Sequence, residues 1–317
     1  MRIRERGPIR PPSGEKTSRK SGSRGNENEL HATLISAMET LFLLSTTLLC
    51  FASNSILCRL ALASHSIDAY PFTLLRLVSG AIALNLILLV RNRGVVRFTG
   101  RPASAIALLV YALLFSLAYL RLAASTGALI LFGSVQVTMI GWSLRKGSGP
   151  TPSEWVGLVV ALSGLLLLLF PGIRAPDPLG ALCMAIAGIG WGAYSLLGKG
   201  AKNPLSDSSG NFLVATAVCL PVVLLFLHGL HLSARGVEWA LLSGAVTSGM
   251  GYAIWYKVLP RLKSTQAAIV QLLVPAIAAM LAVALLNETV TWRLAASGSI
   301  IAVGVLVATF KPWKRAI

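Results

Sequence analysis

Polar side chains stand inside long apolar runs at a handful of positions. Ser53, Asn54 and Ser55 are consecutive in one run, and Gln136 stands in another. Trp191, Tyr194 and Ser195 share a third, with Trp191 one helical turn before Tyr194 on the same face. Gln266 and Gln271 lie in a fourth, followed by Pro275. Tyr111, Tyr119 and Tyr252 add phenols. Amides and hydroxyls are expensive in such surroundings, so they mark either function or bonds between helices. The functional reading is a pocket with aromatic walls and a few polar groups that fix a solute. The structural reading is helix-to-helix hydrogen bonding, with Gly188 and Gly192 letting helices close. Both stay open for each residue; the set as a whole favours a cavity. Pro275 removes one backbone bond and frees a carbonyl, which a solute, a hinge or a simple packing kink can use.

Charged groups are scarce in these runs. Arg76 is the one basic residue well inside a run. Its stem can snorkel to the nearer end or join a structural pair, or its guanidinium can bind an anionic group. Glu39 lies near the start of the first run, as an interfacial residue or a proton carrier. Glu288 closes a later run and orders a turn there. The other nine acids lie in the N-terminal stretch, in breaks or at helix starts, so no central carboxylate relay is visible. His228 and His231 are too few for a metal site. No paired carboxylates, histidine cluster or Ser/His/Asp set converges, so neither catalysis nor a metal or other cofactor is expected. Cys50, Cys58, Cys183 and Cys219 all fall in apolar runs and read as small apolar residues.

The elements that must carry these groups follow from composition. Of 317 residues, 55% are hydrophobic and only 12% are charged, against about a quarter charged in soluble domains. Mean hydropathy is +0.73. Apolar runs fall at about 34–58, 69–90, 103–120, 123–144, 156–173, 179–198, 212–230, 237–257, 266–286 and 294–310, each near the roughly 17–25 residues that cross a bilayer as a helix. They show no strict alternation, which excludes barrel strands. The expected fold is an all-α polytopic membrane protein of ten spans. Residues 1–33 carry eight basic and four acidic residues with Pro, Gly and Ser. That composition builds no core and reads as a disordered cytoplasmic tail. Met38 offers an alternative start for the chain, which would leave residues 1–37 untranslated. Residues 311–317 form a short C-terminal tail.

The net charge of +17 raises nucleic acid as a partner, but the apolar fraction leaves little surface for it. Alternating the spans from a cytoplasmic N-terminus resolves the charge differently. It puts 22 of the 28 basic residues inside and five outside, namely Arg59, Arg121, Arg174, Arg235 and Arg293. That is a positive-inside pattern with both termini cytoplasmic. The expected partners are the lipid bilayer and a small-molecule solute, with no nucleic acid. The oligomeric state is left open, with a monomer as one option.

The chain also resembles itself. Phe51-Ala52-Ser53-Asn54-Ser55 through Arg59 aligns with Trp191-Gly192-Ala193-Tyr194-Ser195 through Lys199 at an offset of 140. Ser125-Thr126-Gly127-Ala128 aligns with Ser264-Thr265-Gln266-Ala267 at 139. Two near-equal offsets point to a tandem duplication, residues 34–173 and 178–310. Five spans per copy force the second copy upside down, a common transporter plan with its site near the midplane.

These residues resemble the drug/metabolite transporter superfamily, specifically ten-span proteins with two EamA domains. Gly190-Trp191-Gly192-Ala193-Tyr194 is similar to the family's sixth helix. Gly249 to Trp255 followed by Leu259-Pro260-Arg261 is similar to its eighth. Gln271-Leu272-Leu273-Val274-Pro275 with Leu286-Asn287-Glu288-Thr289 is similar to its ninth, and Pro71 to Arg76 to its second. The chain departs in its fourth helix, where Gln136 replaces a proline and Arg145 to Gly149 replaces a Gly-Glu. The resemblance implies a transporter in a bacterial inner membrane that moves a small metabolite or drug-like solute, outward, by alternating access. A nontransporting receptor or assembly factor of the same fold is the alternative. The cargo and the energy coupling are not implied.

Overall fold

A computed structural model of the chain describes residues 18–62, 64–92, 99–122, 124–169, 177–225, 230–286 and 292–309. Among these, the secondary structure is helical, apart from one isolated bridge between Ile67 and Leu232. The helices are α1 (Ser18–Leu62), α2 (Ala69–Arg91), α3 (Pro102–Tyr119), α4 (Ala124–Arg145), α5 (Pro152–Leu169), α6 (Pro178–Gly198), α7 (Pro204–Leu225), α8 (Ala234–Leu242), α9 (Gly251–Val258), α10 (Ser264–Val270), α11 (Leu273–Leu286) and α12 (Trp292–Thr309). A π-helical stretch, Ser243–Met250, joins α8 to α9, and a two-residue break separates α10 from α11. Counting each of these as one interrupted helix leaves ten helical runs. Among the described residues, seven of the helical runs are long and apolar enough to cross a membrane, α10 and α11 counting as one.

The starts of these helices are written in the sequence. Pro102, Pro152, Pro178 and Pro204 each occupy a first helical position, where the missing N–H costs nothing and φ is already helical. Asp177 Oδ1 accepts from Gly180 N at 2.7 Å. Ser233 Oγ accepts from Gly236 N at 3.1 Å. Thr151 and Glu154 form a capping box on α5, with Thr151 N donating to Glu154 Oε2 at 2.9 Å. This box sets the start of α5 four residues before the apolar run. α7 likewise begins at Pro204 rather than near 212. Its first turns are polar, yet Ser208, Ser209 and Asn211 are buried, because they face other helices rather than lipid.

The chain falls into two units, residues 1–42 and 43–317. In the first, α1 begins at Ser18, inside the stretch whose composition reads as a tail. No proline lies between Pro12 and Pro71 to interrupt the helix. Leu34, Ile35, Met38, Leu41 and Phe42 are exposed there, a surface suited to lipid.

The second unit holds the core. α5 packs on α12, α4 on α10, α2 on α7 and on the π-helical stretch, and α6 on both α3 and α4. Small residues set these distances. A Cβ on Gly188 would lie 2.6 Å from Ser134 Cβ, and one on Gly192 would lie 2.9 Å from Thr138. The helix-closing role expected of both therefore holds. Large apolar side chains such as Ile82, Leu86, Val156, Val159, Leu182 and Ile189 face outward, as they do where the solvent is lipid. The four cysteines are free.

Candidate functional site

A small cavity of about 30 Å³ sits among α1, α3, α4, α6, α9 and the start of α11. Its walls are Phe51, Tyr111, Phe115, Phe132, Trp191 and Tyr252, with Leu131 and Val274; Asn54, Ser55 and Gln271 supply its amides and hydroxyl. Phe51 meets Trp191 edge to face, and Trp191 lies tilted against Tyr252 and Tyr111. Phe51 and Trp191 have centroids 5.0 Å apart at 89°, and Trp191 lies 4.7 Å from Tyr252 and 5.0 Å from Tyr111. Such pairs add to burial and fix ring orientation. The volume suffices for about two water molecules. A larger solute therefore needs the helices to part.

Three hydrogen-bonded groups surround this cavity. Trp191 Nε1 donates to Gln271 Oε1 at 2.6 Å, and Gln271 Nε2 donates to Ala267 O at 2.8 Å. Gln271 is the first residue of the break between α10 and α11. There Val274 N bonds Gln271 O at 3.0 Å, a tighter turn than the α-helix. Pro275, whose missing N–H suits the first turn of a helix, is the third residue of α11, just after the break. On another side, Asn54 Oδ1 accepts from Ser243 Oγ at 2.7 Å and Thr247 Oγ1 at 3.2 Å. Both hydroxyls come from the π-helical stretch.

The third group centres on Arg76, which is only 1% exposed. Its Nε donates to Ser248 Oγ at 2.8 Å, and one terminal nitrogen donates to Tyr252 Oη at 2.5 Å and Tyr111 Oη at 3.4 Å. The guanidinium carbon lies 5.3 Å from the centroid of the Tyr111 ring, within reach of a cation–π interaction. Arg76 therefore does not snorkel to a helix end. It reaches across to the π-helical stretch because Gly244 lets the two backbones close. A Cβ there would meet Arg76 O at 2.1 Å.

Of the residues picked out from the sequence, Asn54, Tyr111, Trp191, Tyr252 and Gln271 come together at the cavity, with Arg76 directly behind its two tyrosines. Others serve elsewhere. Ser195 Oγ accepts from Trp255 Nε1 at 3.0 Å, and Tyr194 packs on Tyr256, whose hydroxyl donates to Tyr194 O at 3.1 Å. Gln136 Nε2 donates to Ala268 O at 2.9 Å, tying α4 to α10. Gln266 Oε1 accepts from Lys263 N at 3.1 Å and caps α10. Ser53 is half-buried and does not line the cavity. Glu39 is exposed on α1 in the N-terminal unit. His228 and Glu288 lie outside the described residues. Among the described residues there is no cluster of His, Cys, Asp or Glu that could hold a metal.

Sequence reasoning missed the hydroxyls Ser243, Thr247 and Ser248. Ser243 and Thr247 recur at i, i+4, which is the signal that they share a face. It also missed Glu154, which is buried at 2%. Besides its cap, Glu154 accepts from Thr265 Oγ1 at 3.0 Å and pairs with Lys263 at 3.6 Å. The Thr-x-x-Glu spacing was the available sign.

Comparison with known proteins agrees with this architecture. Residues 178–310 match the EamA-like transporter family. The chain is 48% identical over 255 residues to the Pseudomonas aeruginosa protein PA1977, covering 80% of this chain and 89% of the relative. It is 24% identical to the transporter YwfM and 25% identical to the transporter YoaV, both of Bacillus subtilis, over 80% of this chain and 89% and 91% of theirs. A crystal structure sharing 20% identity superposes with a TM-score of 0.69, over 84% of this chain and 98% of the other, and so shares the fold. The chain belongs to the EamA-like transporter family, within the drug/metabolite transporter superfamily. It is an integral membrane protein whose partners are a lipid bilayer and small-molecule solutes.

Proposed function

We propose that this protein carries a small amphipathic solute across the bacterial inner membrane, outward, by alternating access at the aromatic cavity. The observation that carries the reading is the cavity itself. It joins Phe51, Asn54 and Tyr111 from residues 34–173 with Trp191, Tyr252 and Gln271 from residues 178–310. A site at the seam of two inverted halves becomes open to either side as they rock. Pairing of the helices supports the inverted repeat. α5 meets α12, α4 meets α10, and α2 meets α7, so the fifth, fourth and second helices of each half meet their counterparts across an axis.

Contacts between loops support ten alternating passes, and the excess of Lys and Arg on one side supports cytoplasmic termini. The loop before α2 pairs with the loop before α8, where Asp68 N donates to His231 O at 3.1 Å. Arg121 pairs with Asp177 at 3.6 Å. Both contacts join loops that alternation puts outside. Glu154 with Lys263, Arg101 N with Asn211 Oδ1 at 3.3 Å, and Lys199 Nζ with Ser264 Oγ at 3.3 Å join segments it puts inside. Contacts of this kind hold segments together at both ends of the bundle, and solute entry to the small aromatic cavity requires one set to open.

Flux through proteoliposomes containing the purified chain tests the reading, with labelled amino acids, nucleosides and cationic dyes as probes. Uptake or efflux above empty vesicles is expected for at least one class. Trp191→Ala and Asn54→Ala are expected to reduce it by roughly tenfold or more, as for loss of a well-formed buried contact. Flux that both substitutions leave untouched places the site elsewhere.

A further inference from the structure

Arg76 is a permanent cation without a counter-ion among the described residues. Its guanidinium stays protonated at any accessible pH, it is 1% exposed, and among the described residues no carboxylate pairs with it. Its bonds go to three neutral hydroxyls, on Ser248, Tyr252 and Tyr111. Its Nη1 is buried with no hydrogen-bond partner. Glu154, the other buried charged residue among those described, makes the contrast plain, because it is bound by Thr151, Thr265 and Lys263. A charge buried without compensation is strongly destabilising and marks a functional site whose partner is to be named.

The surroundings say where the missing charge sits. Tyr111 and Tyr252 both accept from Arg76, and both line the cavity. A phenol that accepts from a guanidinium is a better donor in turn, since bonds in a chain polarise one another. Tyr252 already uses its proton only toward Tyr111, at a long 3.5 Å. An oxyanion in the cavity would accept hydrogen bonds from both phenols, bring its charge close to the guanidinium, and reach the free Nη1 once the helices part. The apolar remainder of the solute would lie against Phe51 and Trp191. We propose, resting on the transport reading, that the cargo carries an oxyanion, carboxylate or phosphate, on an apolar body, and that Arg76 with Tyr111 and Tyr252 recognises it.

Binding tests this apart from transport. The full chain, purified in detergent at fixed ionic strength, is heated with matched probes: benzoate against benzamide, hexanoate against hexanamide, and phenyl phosphate against phenol. At least one anion is expected to raise the unfolding midpoint, with an apparent affinity roughly tenfold or more above its neutral partner. Comparing the carboxylates with the phosphate identifies the oxyanion. Arg76→Met is expected to abolish the preference, and Arg76→Lys to keep part of it. If Arg76→Met does not fold, the double substitution Tyr111→Phe with Tyr252→Phe is expected to weaken the preference with the cation in place. Neutral partners that protect as well as the anions, a preference that survives Arg76→Met, or no shift from any anion overturns the inference. Flux of a neutral solute through the wild-type protein would in that case leave the transport reading standing.

Discussion

Trp191 and Gln271 illustrate how a polar pair in a membrane interior can be read. Gln271 spends its nitrogen on Ala267 O and its oxygen on the indole. Removing the indole N–H strands a buried acceptor, which costs about 1–3 kcal/mol. Trp191→Phe is therefore expected to lower the thermal midpoint of the detergent-purified protein, whereas Gln271→Glu would add an unpaired charge and lower it further. Asn54, Tyr111, Trp191, Tyr252 and Gln271 were legible because polar and aromatic groups in an apolar run stand out. Which partner each would choose was not legible. Ser53 and Asn54 are neighbours, yet adjacent helical residues point about 100° apart, and only Asn54 turns to the cavity. Tyr194 and Trp191 share a face, but that face meets Tyr256 at one level and the cavity at the other. Tertiary packing decides such cases, and a single helix does not carry it.

The elements that shape the site are the interrupted ones. The π-helical stretch from Ser243 to Met250 presents Ser243 and Thr247 to Asn54 and Ser248 to Arg76. Widened turns of this kind occur often at functional sites. Gly244 is what allows the stretch to lie against α2. Gly244→Val is expected to destabilise the protein by about 1–3 kcal/mol, because the added atoms meet the Arg76 backbone as well as Ser79 Oγ. Gly298 in α12 has open space around its Cα, so Gly298→Ala should be neutral or stabilising by up to about 1 kcal/mol. Thermal unfolding of both variants side by side checks the pair. Thr265→Val removes the hydroxyl that ties α10 to the buried Glu154. It should lower stability by about 1–3 kcal/mol and raise protease access at the end of the bundle that Glu154 closes. Helix starts at proline and the capping box on α5 were written in the sequence. The break after Val270 was signalled only indirectly, by Pro275. The π-helical stretch left no mark of its own, since small residues with hydroxyls fit an ordinary membrane helix as well.

At the scale of the whole molecule, the excess of Lys and Arg over Asp and Glu supports the proposed orientation, and loop contacts fit the alternation of the helices. Each cross-loop bond joins segments that alternation assigns to the same side. Single cysteines in a cysteine-free background test the assignment. Ser148→Cys should react with a membrane-impermeant maleimide only after the cytoplasmic side is opened, and His231→Cys should react in intact cells. The reverse pattern would invert the topology. The family was legible from the order of loose motifs, and most of the helices from their apolar runs. The small size of the cavity was not legible, because it depends on how tightly six helices close on about 30 Å³. The central claim is that this cavity is the path of a solute. Flux in proteoliposomes, compared between the wild type and Trp191→Ala at matched protein content, tests it most directly. Measurable flux is expected in the wild type, with a loss of roughly tenfold or more in the variant. Equal flux in the two, with the variant folded, would contradict it.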